Sequence, residues 1–350
     1  MDKIYSFELP LKLKQVEEVE AALKNVKLLT LFDLTPKAHR IITYKAEFVK
    51  HGTNSSVLID FNLFKDILSI GRSADATCER RKIGAAFIIF CQLADIEIEP
   101  CMALHESPSD VEEELRSFRR IDSADIQDLW RVFSGDLDML NEERLPNIDP
   151  SKILKPFPRR IEGFSPLELH VLKIADLQLS EGKPIEKLKA YLIWCHHESI
   201  WLMDALTLAI LQLTGNCPKP ILKKISSSEP ETRAKGINNA IWDLLLARQW
   251  SNRVHTQQSE NCLWILGSRD ITLQRLAQEI HITEGDCRQS KLSRFTTENW
   301  GSPNGKRIVN MLNDFQAKSN DVKRKCERAN FETHCEEMKL QLQNKLKLST

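Results

Sequence analysis

Four acidic residues stand where the sequence leaves or interrupts an apolar run. Asp60 closes Val57-Leu58-Ile59, and Asp270 follows Leu263-Trp264-Ile265-Leu266 across Gly267-Ser268-Arg269. Glu106 ends the stretch Pro100-Cys101-Met102-Ala103-Leu104-His105-Glu106, and Asp243 sits between Trp242 and Leu244-Leu245-Leu246. A carboxylate at the mouth of a strand loses hydration unless it is paired or bound to a cation. Several that converge repel one another unless a hard cation neutralises them, and an all-oxygen ligand set suits Mg²⁺ or Mn²⁺. Each residue also has a plainer reading. Asp60 and Asp270 stand where a helix N-cap would, Glu106 where a surface glutamate would, and Asp243 on the polar side of an amphipathic helix.

The elements that must position these residues follow from hydrophobic period and turn chemistry. A Gly52-to-Ser56 turn delivers Val57-Leu58-Ile59, an uninterrupted aliphatic run of the kind found in buried parallel strands. Strand-then-helix units recur at 57–68, 96–106 and 263–281, with a further helix over Glu79–Leu93. That alternation predicts an α/β fold with a parallel sheet, whose ligands sit beyond the carboxyl ends of the strands. Before it, a helix over Leu11–Asn25 and β-rich runs at Lys27–Phe32 and His39–Val49 are expected. After it, helices are expected at Phe164–Leu179, Ile185–His196, Glu198–Leu213 and Gly236–Trp250, and one long helix, broken at most once, over Lys306–Leu348.

The four acidic segments together resemble the motifs of PIN-domain nucleases, in that family's order. Val57 to Phe64 is similar to the first motif, a buried strand ending in Asp-x-Asn, and Pro100 to Glu106 to the second. Asn239 to Leu245 and Ile265 to Leu273 are similar to the third and fourth. The resemblance implies a Rossmann-like three-layer core and a metal-dependent endoribonuclease. Asp60, Glu106, Asp243 and Asp270 would hold Mg²⁺ or Mn²⁺, supported by Asn62 and Ser268. The chemistry would be hydrolysis of single-stranded RNA, with the cation polarising the phosphate and lowering the pKa of the attacking water. A toxin or phage-defence effector fits that activity. Phe61 departs from the Ser or Thr usual there, and the stretch Ser107–Ile237 is long for the family. Asp204 within it is an alternative third acid. The rival reading is a non-catalytic PIN-like interaction protein acting as a subunit of a larger complex.

The resulting division is a β/α extension (1–50), a core (51–110 with 236–285), a mostly helical insertion (111–235) and a helical tail (286–350). The tail is expected to dock a protein partner or a second copy. Across all 350 residues, 49 Lys and Arg balance 49 Asp and Glu, which excludes a whole-body polycation. The neutrality is a sum of unlike parts. Residues 107–150 hold twelve acids against five arginines, and residues 306–350 hold ten basic residues against six acidic. The basic cluster Lys323-Arg324-Lys325 with Arg328 reads as a solvated helix face. Nine cysteines without a Cys-x-x-Cys pair point to reduced thiols. His196-His197 are adjacent on a helix, so the two point about 100° apart and do not ligate one ion. No apolar run reaches the length of a membrane span or a signal peptide, so a cytoplasmic protein is expected.

Overall fold

The computed structural model describes residues 7–32, 37–72, 77–148, 161, 164–214, 220–281, 288–318 and 331–348. The chain divides into two compact units: Met1–Phe157 with Asn252–Gln274, and Pro158–Ser251 with Arg275–Thr350.

The first unit carries the sheet. Its strands β1 (Leu29–Thr30), β2 (Asn54–Ile59), β3 (Ile96–Glu99) and β4 (Cys262–Gly267) lie in the order β1-β4-β2-β3. β2 pairs in parallel with both neighbours, Val57 standing opposite Ile98 and Ile265, while β1 runs antiparallel to β4. As the central strand, β2 is buried from Ser55 to Ile59. That explains why its aliphatic run does not alternate. Around the sheet lie α1 (Leu13–Asn25), α2 (Ile41–His51), α3 (Phe61–Leu68), α4 (Cys78–Ala94), α5 (Cys101–Glu106), α6 (Val111–Asp122) and α7 (Ile126–Ser134). Val57, Ile59, Ile98 and Ile265 pack with Phe64, Phe87, Phe90 and Phe118 into one core. The α/β class, the small sheet and the flanking helices are those expected.

Residues His39–Val49 correct an expectation, because they form α2 and the preceding turn rather than a strand. Ile41 and Tyr44, three apart, face inward, and the Tyr44 ring meets the edge of Phe90 at 5.8 Å. The β-branched residues suggested a strand, but spacing three decided the outcome. His39, just before α2, accepts a hydrogen bond from the Leu29 amide at 3.0 Å. Burial, and then Lys24, hold its pKa down at about 4, so it stays neutral.

α4 is buried from Ile83 to Phe90, so it is apolar on every side. It approaches α3 closely enough that a Cβ on Gly84 would stand 2.8 Å from the Asp66 carbonyl oxygen. Replacing Gly84 by Ala therefore overpacks the contact, at about 1–3 kcal/mol, against about 1 kcal/mol of gained helix propensity. The expected net loss is up to about 2 kcal/mol in urea unfolding, and a raised midpoint would refute the close contact.

Some acids of the stretch 107–150 have partners, though its net charge stays negative. Asp110 and Asp125 cap α6 and α7. Asp128 meets Arg131 and Arg144, Glu142 meets Arg120, and Asp138 meets Arg81.

The second unit is helical. It contains α8 (Phe164–Leu179), α9 (Pro184–His197), α10 (Met203–Gln212), most of α11 (Pro230–Glu260) and of α12 (Ile271–Ile280), α13 (Arg288–Trp300), α14 (Ser302–Lys318) and α15 (Phe331–Lys345). The expected C-terminal helix is described as α14 and α15, while Lys323, Arg324, Lys325 and Arg328 lie outside the described residues. α15 packs on α8 through ion pairs of Lys339 with Glu168 at 2.9 Å and Lys345 with Asp176 at 2.7 Å. Among the described residues, no helix is long and apolar enough to cross a membrane.

Candidate functional site at the ends of β2 and β4

Asp60 is the first residue beyond β2, and its two oxygens have separate tasks. Oδ1 accepts the Leu63 amide at 2.7 Å, capping α3, and Oδ2 accepts the Ser268 hydroxyl at 2.5 Å. The Asp60 amide in turn donates to the Gly267 carbonyl at 3.1 Å. One side chain thus ties the end of β2 to the end of β4. Gly267 has no room for a side chain, since a Cβ there would meet Val57, Ile59 and Leu63 at 3.2 Å.

Ser268 continues the network. Its amide donates to the Leu28 carbonyl at 2.9 Å, and its hydroxyl accepts the Asp270 amide at 3.0 Å. Asp270 caps α12, with Oδ1 accepting from Thr272 at 2.8 Å and Leu273 at 3.3 Å. Gln274 then donates to the carbonyls of both Lys27 and Ser268 at 2.5 Å. The capping role weighed for Asp60 and Asp270 is therefore the one they perform.

Asp60 is 6% exposed. Burial pushes its pKa up to about 6, against hydrogen bonds from Ser268 and Leu63 that favour the anion. Nearby Asp66 raises it a little further and Arg269 lowers it. Glu106 ends α5, half-buried, and its pKa is pushed up to about 7 by burial and then by the Asp60 charge, with Lys65 opposing. So Glu106 senses the Asp60 charge. Asn62, exposed on the first turn of α3, is not among the hydrogen-bonded partners of Asp60. Asp243 is half-buried on α11 in the second unit. Asp204, the alternative third acid, lies in the same unit and is ion-paired with Arg248.

These positions overturn the expected metal centre. Among the described residues, no group of three or more His, Cys, Asp or Glu side chains is placed to hold a metal ion. Asp60, Glu106, Asp243 and Asp270 therefore do not form the Mg²⁺ or Mn²⁺ site that a PIN-like ribonuclease needs, with Asn62 and Ser268 in support. The physical reason is clearest at Asp60 and Asp270. Asp60 gives one oxygen to the Leu63 amide and the other to the Ser268 hydroxyl, and Asp270 Oδ1 takes the Thr272 and Leu273 amides, which is the service of helix caps rather than of a converging cation site. The hydrolase, nuclease and metal-cofactor expectations fall with the site, and so does the toxin or defence role built on them.

Sequence reasoning overlooked Asp66, Arg80 and Arg269. Asp66 has no exposure at all and lies on α3 among buried Leu63, Phe64 and Ile67. It receives Arg80 Nε at 2.5 Å on Oδ1, and Arg269 Nη2 stands 2.5 Å from Oδ2. The available signal was an acid one residue before Ile67 on the apolar face of a helix, which requires a buried partner.

Comparison with protein-family models, with curated proteins and with solved structures gives no match for this chain. What can be stated of its kind is the architecture itself: an α/β protein with a mostly parallel four-stranded sheet, flanking helices and a C-terminal helix.

Proposed function

We propose that the protein is a non-catalytic interaction subunit of a larger complex, built on a PIN-like sheet whose strand-end acids serve structure. The observation that carries this reading is that both Asp60 oxygens are used within the fold, one by the Leu63 amide and the other by the Ser268 hydroxyl. A carboxylate committed to a cap and an interstrand bond holds strands together and leaves chemistry to other proteins. The motif order along the sequence is what supports the PIN-like name for the sheet.

The partner, or a second copy, docks along the C-terminal helix. α15 buries Cys335 and Lys339, while Leu340 remains 51% exposed. The test is light scattering on the tagged protein purified gently from its native cells. The expected result is a defined assembly above the 40.3 kDa of one chain, lost in Leu340→Glu and kept in Asp60→Asn. A single chain in every case, or an assembly that survives Leu340→Glu, would overturn it.

A further inference from the structure

Arg80 and Arg269 converge on one buried carboxylate. Both are fixed to Asp66, one on each oxygen, yet their side chains remain 35% and 31% exposed. A guanidinium carries five N–H donors. Arg80 donates to Asp66 Oδ1 and Arg269 is ion-paired with Oδ2, and neither side chain makes a hydrogen bond to another described residue. Donors beyond those used on Asp66 therefore remain on two partly exposed side chains. Two arginines meet one wholly buried carboxylate, with Asp60 near enough to sense Arg269 but hydrogen-bonded elsewhere.

A mobile pair of surface arginines would be ordinary solvated charge. These two are held in place instead. Asp66 sits on a helix whose backbone is pressed against Gly84 of α4, so the anchor cannot drift. Arg80 also occupies the first turn of α4, the positive end of the helix dipole, where a cation is disfavoured. Thr77, the N-cap of α4, makes no side-chain capping bond. The nearby acids do not occupy the cluster. Asp60 is turned to Leu63 and Ser268, and Glu106 is coupled to Asp60 and Lys65.

We propose that Arg80 and Arg269 form a clip for the phosphate group of a small phosphorylated compound, at the carboxyl end of the sheet. Two pre-positioned forks match a tetrahedral oxyanion, which accepts from both at once. The cationic surface is two side chains wide, too short a track for a polyanion, and the acidic α6–α7 stretch belongs to the same unit. This goes beyond the interaction-subunit reading and does not depend on it, because the clip needs no partner protein.

The test is a titration of the whole chain with inorganic phosphate, glycerol phosphate and a single-stranded RNA, at constant ionic strength made up with chloride. Binding is read by amide NMR shifts and by melting temperature. Phosphate and glycerol phosphate are expected to raise the melting temperature saturably where chloride does not. Arg269→Lys keeps a charge beside Asp66 but loses the fork, and is expected to weaken binding by about tenfold or more. Arg80→Lys provides a second, independent loss. Equal responses to phosphate and chloride, or unchanged affinity in Arg269→Lys, would overturn the clip. Tighter binding of RNA than of glycerol phosphate would overturn the small-compound assignment.

Discussion

Replacing Arg248 by Met is expected to destabilise the second unit by about 4 kcal/mol at neutral pH. Asp204 is 5% exposed in the first turn of α10, and Arg248 Nε on α11 donates to its Oδ2. The other oxygen accepts the Ala205 amide at 2.8 Å. Removing the arginine leaves a buried carboxylate without its counter-charge, a change that costs about 3–5 kcal/mol, whereas replacing both partners with apolar residues is often neutral. The double variant Asp204→Leu with Arg248→Met is therefore expected to recover most of the loss. Urea unfolding of the four proteins in that cycle measures it, and additive losses would show that the pair is not coupled. A second readout lies nearby. His170 is fully buried, with Nδ1 2.7 Å from the Tyr191 hydroxyl and Nε2 3.1 Å from Ser199. Its pKa is held down at about 3 by burial and then by Arg248. Loss of Arg248 is expected to move the His170 titration upward, visible by NMR.

The sheet was legible because its signals are local. A continuous aliphatic run marks a central parallel strand, and a Gly or acid after it marks the turn into a helix. β3 and β4 lie within a residue of the expected limits, while β2 begins at Asn54, three residues earlier and inside the expected turn. α2 was misread because Ile41, Ile42, Val49 and the aromatics favour strands locally, while the packing of Tyr44 against α4 favours a helix. That preference is set by a partner forty-six residues away, Phe90, which no local window contains.

The candidate site was legible in position and misjudged in purpose. Asp60, Ser268 and Asp270 do come together at the strand ends, as the family resemblance implied. Sequence marks an acid at a strand-to-helix junction equally whether it caps the helix or holds a cation. The distinction is made by where two oxygens point, and that depends on the Ser268 hydroxyl, 208 residues away. The same limit hid the arginine pair. Arg80, Asp66 and Arg269 belong to three segments, and only folding puts two cations on one buried acid.

Asp60 itself provides the other large expected effect, a stability difference that changes with pH. Its folded-state pKa is raised to about 6 from an ordinary value of 3.8, chiefly by burial. A raised carboxylate contributes stability that is fully present below about pH 4 and is lost as pH rises through about 6. Across that window the native state holds a proton that the unfolded chain has released. Asp60→Asn keeps the cap on Leu63, carries no charge and cannot titrate. Relative to wild type, it is expected to gain up to about 3 kcal/mol between pH 4 and pH 7. Asp60→Ala behaves differently at the acid end. There it loses the cap, worth about 1 kcal/mol, and leaves the buried Ser268 hydroxyl without its acceptor, at about 1–3 kcal/mol. A loss near 3 kcal/mol is thus expected at pH 4, shrinking towards neutrality as the wild-type charge is penalised. Unfolding curves for the three proteins from pH 4 to 7.5 decide the matter. A wild-type and Asn difference that stays flat across the window would mean that Asp60 is not desolvated. That result would remove the account of Asp60 as an acid whose charge is penalised by burial at the strand ends.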